Sequence, residues 1–233
     1  MLKGKVMVKD LGRMKFIPNI KILEHKEPKE EDKIKEEEMK KRLTLNEKQV
    51  ILYGSLEENL NKEKWNCYTT YYSNVRVVRE KGETINVLTA NILLETRMDG
   101  KEYYIFQERS KDIAVGGKLS FVGGHIDEED NGIIEGAIRE LKEEVIGITE
   151  SNEELYERLK NANKYVTQEQ TVNKGNIQFN FMGVYIKFNN KLNGTMKEGG
   201  IVLVPKSVIY EYIEKNKDRF TEYSLITINN FLN

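Results

Sequence analysis

The segment running from Gly123-Gly124 through Arg139-Glu140-Leu141-Lys142-Glu143-Glu144 constrains this chain more than any other. Adjacent glycines permit a tight turn and a close approach of main chain to a ligand or a neighbouring strand. The spacing after them predicts a helix: Ile134, Ile138, Leu141 and Val145 recur at helical steps and form one apolar stripe. Asn131 is placed to cap its start, because its side-chain oxygen can accept from a free amide of the first turn. Gly147 is placed to stop it, since glycine takes the left-handed geometry of a helix end. Glu140, Glu143 and Glu144 stand at i, i+3 and i+4 and share the other face. Like charges at that spacing repel, and a hard cation between them relieves the repulsion. Mg2+ and Mn2+ prefer oxygen ligands, and Mg2+ is held by one or two carboxylates together with substrate phosphates. The segment reads as a site for a divalent cation and a phosphate-bearing ligand. A solvated acidic face balanced by Arg139 and Lys142 is the plain alternative. The glycine pair, capped helix, Arg-Glu and Glu-Glu in one register favour the metal site.

Around this segment the chain alternates between strands and helices. Residues 86–95 and 103–108 read as strands, with the hairpin dipeptide Asp99-Gly100 between them. Residues 118–122 deliver the chain to the glycines. Residues 152–159, capped by Ser151, read as a helix, 177–188 and 201–204 as strands, and 207–215 and 224–232 as helices. Before them, 5–23 holds one or two short strands, 24–42 is nearly all Glu and Lys, 43–60 reads as weak helix or turn, and the aromatic stretch 65–78 reads as extended. Strands, turn, helix, strands and helix in that order suit an α/β or α+β layered domain with helices flanking a mixed sheet.

Composition narrows the class. The chain has 233 residues, 32% of them charged, and a formal net charge of -1. No global basic field draws it to nucleic acid or membrane, so dedicated nucleic-acid binding is not expected. No apolar run approaches the roughly 20 residues that span a bilayer. The first residues lack the apolar stretch of a secretory signal, and the single cysteine, Cys67, cannot form an internal disulfide. The expectation is a cytoplasmic protein.

The segment resembles the Nudix box of the Nudix hydrolase superfamily (MutT-like). That pattern is Gly, five residues, Glu, seven residues, Arg-Glu, an aliphatic, any residue, Glu-Glu, any residue, Gly and an aliphatic. Arg139, Glu140, Leu141, Glu143 and Glu144 match it residue for residue, and Gly124 matches the opening glycine with one extra residue before Arg139. Counting back from Arg139, Asn131 takes the place of the first Glu. Counting forward from Glu144, one extra residue precedes Gly147. The Gly-Gly-His-Ile form is similar to a branch of predicted phosphoesterases in this superfamily. The resemblance implies a Nudix-like α/β/α sandwich with a mixed β-sheet over 85–233, preceded by an extension, 1–84, of unknown role. It also implies hydrolysis of a diphosphate linkage in a nucleoside diphosphate derivative, with Mg2+ or Mn2+ as cofactor. Glu140, Glu143, Glu144 and the carbonyl of Gly123 would hold the metal. Arg139 would pair with a motif carboxylate and hold it in position, which a bidentate guanidinium does better than lysine.

Other roles stay open at this stage. Glu140 is a candidate general base, as are Glu198, in a glycine-bearing loop between two expected strands, and Glu222, before the last expected helix. Asp127, Glu128, Glu129 and Asp130 crowd the loop, and one of them can stand in for the missing Glu. Gly124 and His125 are candidate substrate contacts, with Arg109 and Lys118 as cations able to face phosphates. A catalytically weak Nudix module that binds a nucleotide or nucleotide-sugar as a sensor is the alternative to an enzyme. Capped RNA is a further substrate class. An isoprenoid-diphosphate isomerase needs a cysteine near the active strands, and Cys67 lies well upstream. The extension can cover the cleft, build a homodimer or bind a partner.

Overall fold

The computed structural model describes residues 7–14, 22–25, 48–52, 65–71, 85–111, 116–162, 164–173, 177–189, 195–196, 199–221, 224–225 and 228. The strands are β1 (Met7–Met14), β2 (Ile22–His25), β3 (Lys48–Leu52), β4 (Trp65–Tyr71), β5 (Ile85–Met98), β6 (Lys101–Glu108), β7 (Leu119–Ser120), β8 (Val122–His125), β9 (Val145–Ile146), β10 (Lys164–Asn173), β11 (Ile177–Asn189), β12 (Thr195–Met196) and β13 (Gly200–Pro205). The helices are α1 (Ile133–Glu144), α2 (Asn152–Asn161) and α3 (Ile209–Lys215).

Strand β5 organises the sheet. It runs parallel to β11 along one edge and antiparallel to β3, β8 and β6 along the other. Beyond these, β10 and β1 extend the β11 side, β4 and β2 extend the β3 side, and β7 and β13 flank β6. The sheet is mixed, because β5–β11 and β2–β4 are parallel and its other pairings antiparallel. A parallel neighbour cannot be reached through a hairpin, so the chain crosses over between β5 and β11, and that crossover contains α1 and α2.

Alternation along β5 builds both layers. Leu88, Ala90, Ile92 and Leu94 face α1 and α2 in a core with Ile133, Ile134, Ala137, Ile138, Leu141, Leu155 and Leu159. Leu93 belongs to a second core with Tyr104, Phe106, Phe121, Ile209, Ile213 and Phe220, on the α3 side. There the rings of Phe106 and Phe220 meet edge to face at 5.3 Å, a favourable aromatic arrangement. Helices therefore cover both faces, as in the expected α/β/α sandwich with a mixed sheet. Among the described residues no helix is long and apolar enough to cross a membrane.

Several expectations hold in detail. Asp99 and Gly100 take positive φ, 49° and 74°, the turn geometry that a two-residue hairpin requires. Ser151 caps α2 within a full capping box with Glu154. Others need correction. Asn131 does not cap α1: the N-cap is Gly132, with no side-chain cap bond. Helix α1 stops at Glu144, where Val145 turns extended into β9, and Gly147 takes its φ of 98° only afterwards. Residues 48–52, expected within a weak helix or turn, form β3. Its apolar residues alternate between faces and find partners distant in sequence, in β4 and β5. Strand β10 was not expected, and its pairing with β1 and β11 supplies the order that its polar composition hides. The charged residues 26–42 lie outside the described residues, as does most of 224–232, where Ser224, Leu225 and Ile228 are helical.

Candidate active site

Strand β8 lays the glycine pair against the middle of β5, with Gly123 opposite Asn91 and Gly124 opposite Ala90. Gly123 has φ +143°, and a Cβ there would fall 2.1 Å from the Ala90 carbonyl oxygen. No other residue fits that approach. Gly124 answers to α1 instead: a Cβ there would meet Glu140 Oε1 at 2.5 Å and Oε2 at 2.6 Å. The absence of a side chain lets the Glu140 carboxylate rest on the main chain of β8. One turn further along α1, Glu144 Oε2 accepts a hydrogen bond from the Gly123 amide at 3.1 Å. Two carboxylates of one helix thus close on one glycine pair.

Arg139 is the hub of the surrounding charges. Its Nε donates to Asp130 Oδ1 at 3.1 Å and its Nη2 to Asp130 Oδ2 at 3.0 Å, a bidentate pair. Nη2 also donates to the His125 carbonyl at 2.8 Å and lies 3.3 Å from Asp127. Nη1 donates to Glu140 at 3.0 Å and to Glu143 at 3.2 Å. Burial opposes the Arg139 charge, yet the Asp130 hydrogen bond and the charges of Glu140, Asp130 and Asp127 outweigh it and hold the guanidinium above its already high range.

Glu140 shows the opposing pulls on a carboxylate in this setting. Burial, above all, pushes its carboxyl up to about 7. The Arg139 charge and hydrogen bond pull it down, while Glu144 and Glu143 push it up. A divalent cation would oppose both the burial penalty and the lesser repulsion by favouring the ionised carboxylate, and the donors are the hard oxygens such a cation takes. The set fits the group chemically. Among the described residues no three Asp, Glu, His or Cys side chains stand ready to hold a metal, since Glu143 turns to Arg139 while Glu144 bonds the Gly123 amide.

A cleft of about 730 Å³ runs along α1 toward α2, lined by Glu129, Asp130, Glu135, Glu143, Glu153 and Glu157 with Arg139, Lys142 and the ring of Tyr156. Glu140, Glu144 and the Gly123-Gly124 pair do not line it.

A protein-family model for the NUDIX domain matches residues 86–204, just over half of the chain. The chain belongs to the NUDIX domain family. No curated protein matches it. Solved structures with similarity include a C. elegans Ap4A hydrolase in a binary complex, at 18% identity and TM-score 0.39, covering 63% of this chain and 97% of that one. A NUDIX hydrolase from Nitrosomonas europaea has 15% identity and TM-score 0.36, covering 63% and 88%. The NUDIX domain of Shewanella oneidensis NrtR complexed with ADP ribose has 15% identity and TM-score 0.34, covering 58% and 89%. Membership rests on the family match alone.

Counted forward from Gly124, the Nudix pattern puts its first acid on Asp130, and the extra residue falls between Asp130 and Arg139. Asp130 pairs bidentately with Arg139, beside the Asp127, Glu140 and Glu143 contacts, while Asn131 is exposed. The two ways of counting differ by one residue, and Asp130 is among the four loop acids expected as stand-ins for the missing Glu. Spacing from the glycine end was the signal that located it.

The remaining candidates are distributed as follows. His125 contributes its carbonyl to Arg139, and its register partner Thr89 sets its side chain on the sheet face opposite Gly124. Arg109 and Lys118 close the turn between β6 and β7 through a main-chain bond of 2.9 Å, and the Lys118 amine donates to the Asp218 carbonyl at 2.8 Å. Glu198 and Glu222 lie outside the described residues. Cys67 is buried in the sheet, and desolvation pushes its thiol up to about 12, which suits packing and not nucleophilic chemistry.

Proposed function

We propose that this chain is a divalent-metal-dependent hydrolase of a diphosphate linkage in a nucleoside diphosphate derivative. One observation carries the reading: the Glu140 and Glu144 carboxylates approach the Gly123-Gly124 main chain from a single helix, at an Arg139-centred cluster, within a Nudix domain. Glu140, Glu143, Glu144 and the Gly123 carbonyl would hold Mg2+ or Mn2+. The bound cation would screen the diphosphate and make a water more acidic.

The chain's own residues supply the rest. Arg139 bonds Glu140 and Glu143 from the side and restricts where their oxygens point. Glu140 remains a candidate acid-base group; burial pushes its carboxyl up to about 7 in the metal-free chain, and a cation beside it would favour the ionised form. The missing side chain of Gly124 leaves room for the Glu140 carboxylate against the main chain of β8, where a Cβ would exclude it.

The test incubates the full chain with nucleoside triphosphates, dinucleotides, nucleotide-sugars and capped RNA, with Mg2+ or Mn2+, and follows phosphate or pyrophosphate release. Turnover of at least one class, lost in E143Q and E144Q, is the expected result. Equal baselines for wild type and both variants over the whole panel would sink the enzyme reading. Tight metal-independent nucleotide binding in that case would mark a sensor.

A further inference from the structure

Strand β3 lies ahead of the stretch shared with the family, residues 86–204, yet it holds the loop that leads into α1. The Val50 amide donates to the Ile126 carbonyl at 2.8 Å, and the Glu128 amide donates to the Lys48 carbonyl at 3.0 Å. Between them Gln49 and Asp127 form a β-bridge. The side chains continue the contact. Lys48 Nζ lies 3.2 Å from each oxygen of Glu128, and Thr69 Oγ1, from β4, donates to Glu128 at 3.4 Å. Lys48 also lies over the Tyr71 ring, 5.6 Å from its centroid.

The loop itself is four consecutive acids, Asp127, Glu128, Glu129 and Asp130. Such a run repels itself and resists one ordered shape unless cations hold it. Among the described residues two cations do so, from opposite sides. Arg139 of α1 takes Asp127 and Asp130, and Lys48 of β3 takes Glu128. We infer that Lys48 is a positioning residue of the active site: by holding Glu128 it fixes the loop whose aspartates orient Arg139, and through Arg139 it sets Glu140 and Glu143. The inference rests on the functional reading above. It gives β3 and β4, outside the family match, a part in the site.

An exposed ion pair is weak by itself, so the informative change reverses the charge. K48E sets a carboxylate against Glu128 and removes its clamp, while the two main-chain bonds at Ile126 and Glu128 stay available. The probe is Mn2+ alone, titrated into the full chain and followed by its electron spin resonance signal. A melting curve without metal is recorded for each variant. K48E should raise the Mn2+ dissociation constant about tenfold, roughly 1.4 kcal/mol, with little change in melting temperature. K48R should stay near wild type because the charge is kept, and K48E/E128K should recover the affinity. With the substrate found in the panel, kcat should fall in K48E while KM holds.

A folded K48E chain that binds Mn2+ like wild type overturns the role of Lys48, as does a reversed pair that fails to recover. A wild type that does not bind Mn2+ overturns the functional reading and this inference with it. The two failures are told apart by the wild-type titration.

Discussion

Asp130 Oδ2 and Arg139 Nη2 lie 3.0 Å apart, and this contact ties the acidic loop to the middle of α1. The Asp130 side chain is only 5% exposed, so it depends on its partner for neutralisation. R139A would strand that carboxylate and is expected to lower stability by about 3 kcal/mol, the smaller end for a broken buried pair because Arg139 keeps some solvent contact. R139K keeps the charge but not the fork, and should lose roughly half as much. Urea denaturation of both variants gives the comparison, and equal stability of R139A and wild type would refute it.

The two glycines should respond differently to alanine. At Gly123 the new Cβ collides with the main chain of β5 at a φ that L-residues avoid. G123A should therefore destabilise the fold by about 2 kcal/mol or more. At Gly124 the collision is with the end of a flexible side chain, the Glu140 carboxylate. G124A should cost under about 1 kcal/mol in stability, yet reduce kcat about 10-fold to 100-fold by displacing that carboxylate. Parallel melting curves and turnover measurements separate the two effects.

Stability of the metal-free protein should fall as pH rises from about 4.5 to about 7. Over that window Glu140 is protonated in the folded chain, where its carboxyl is pushed up to about 7, and ionised in the unfolded chain near 4.5. The folded state then binds more protons, so its advantage is complete below the unfolded value and is lost through the folded one. The full loss is on the order of 3 kcal/mol. E140Q should flatten this part of a denaturation series run at several pH values; an unchanged slope would remove Glu140 as its source.

Metal binding should release protons at low pH and few at high pH. A cation favours the ionised Glu140, so close to one proton should leave at pH 6, falling toward none at pH 8. Calorimetry of Mn2+ binding in buffers of different ionisation enthalpy reads this number directly. Chelation should return the melting temperature to the metal-free value, and at 100 times the dissociation constant of metal the gain should be about 2.7 kcal/mol. Proton release that ignores pH, or persists unchanged in E140Q, would contradict the coupling.

Much of this architecture was legible in local pattern. The apolar stripe of α1, the Asp99-Gly100 hairpin and the Ser151 cap each depend on residues within a few positions, and each reappears in the fold. Local pattern failed where partners are distant. Strand β3 spans five residues, too few for periodicity to separate strand from helix. Its partners in β4 and β5, and its contact with the loop at Ile126 and Glu128, settle its conformation.

At the site, helical spacing alone placed Arg139, Glu140, Glu143 and Glu144 on one turn, because i, i+3 and i+4 is a property of the backbone helix. Which acid answers Arg139 was a matter of three-dimensional packing. Four neighbouring carboxylates are equivalent in composition, and only the path of the loop over β3 turns Asp127 and Asp130 toward α1 and Glu128 toward Lys48. The same holds for the protonation of Glu140. Its residue type sets an ordinary carboxyl near 4.5, and burial against Gly124, beside Glu144 and Glu143, moves it to about 7. Spacing along a helix is covalent geometry and can be counted; desolvation and the choice among like charges arise only when distant strands close around them.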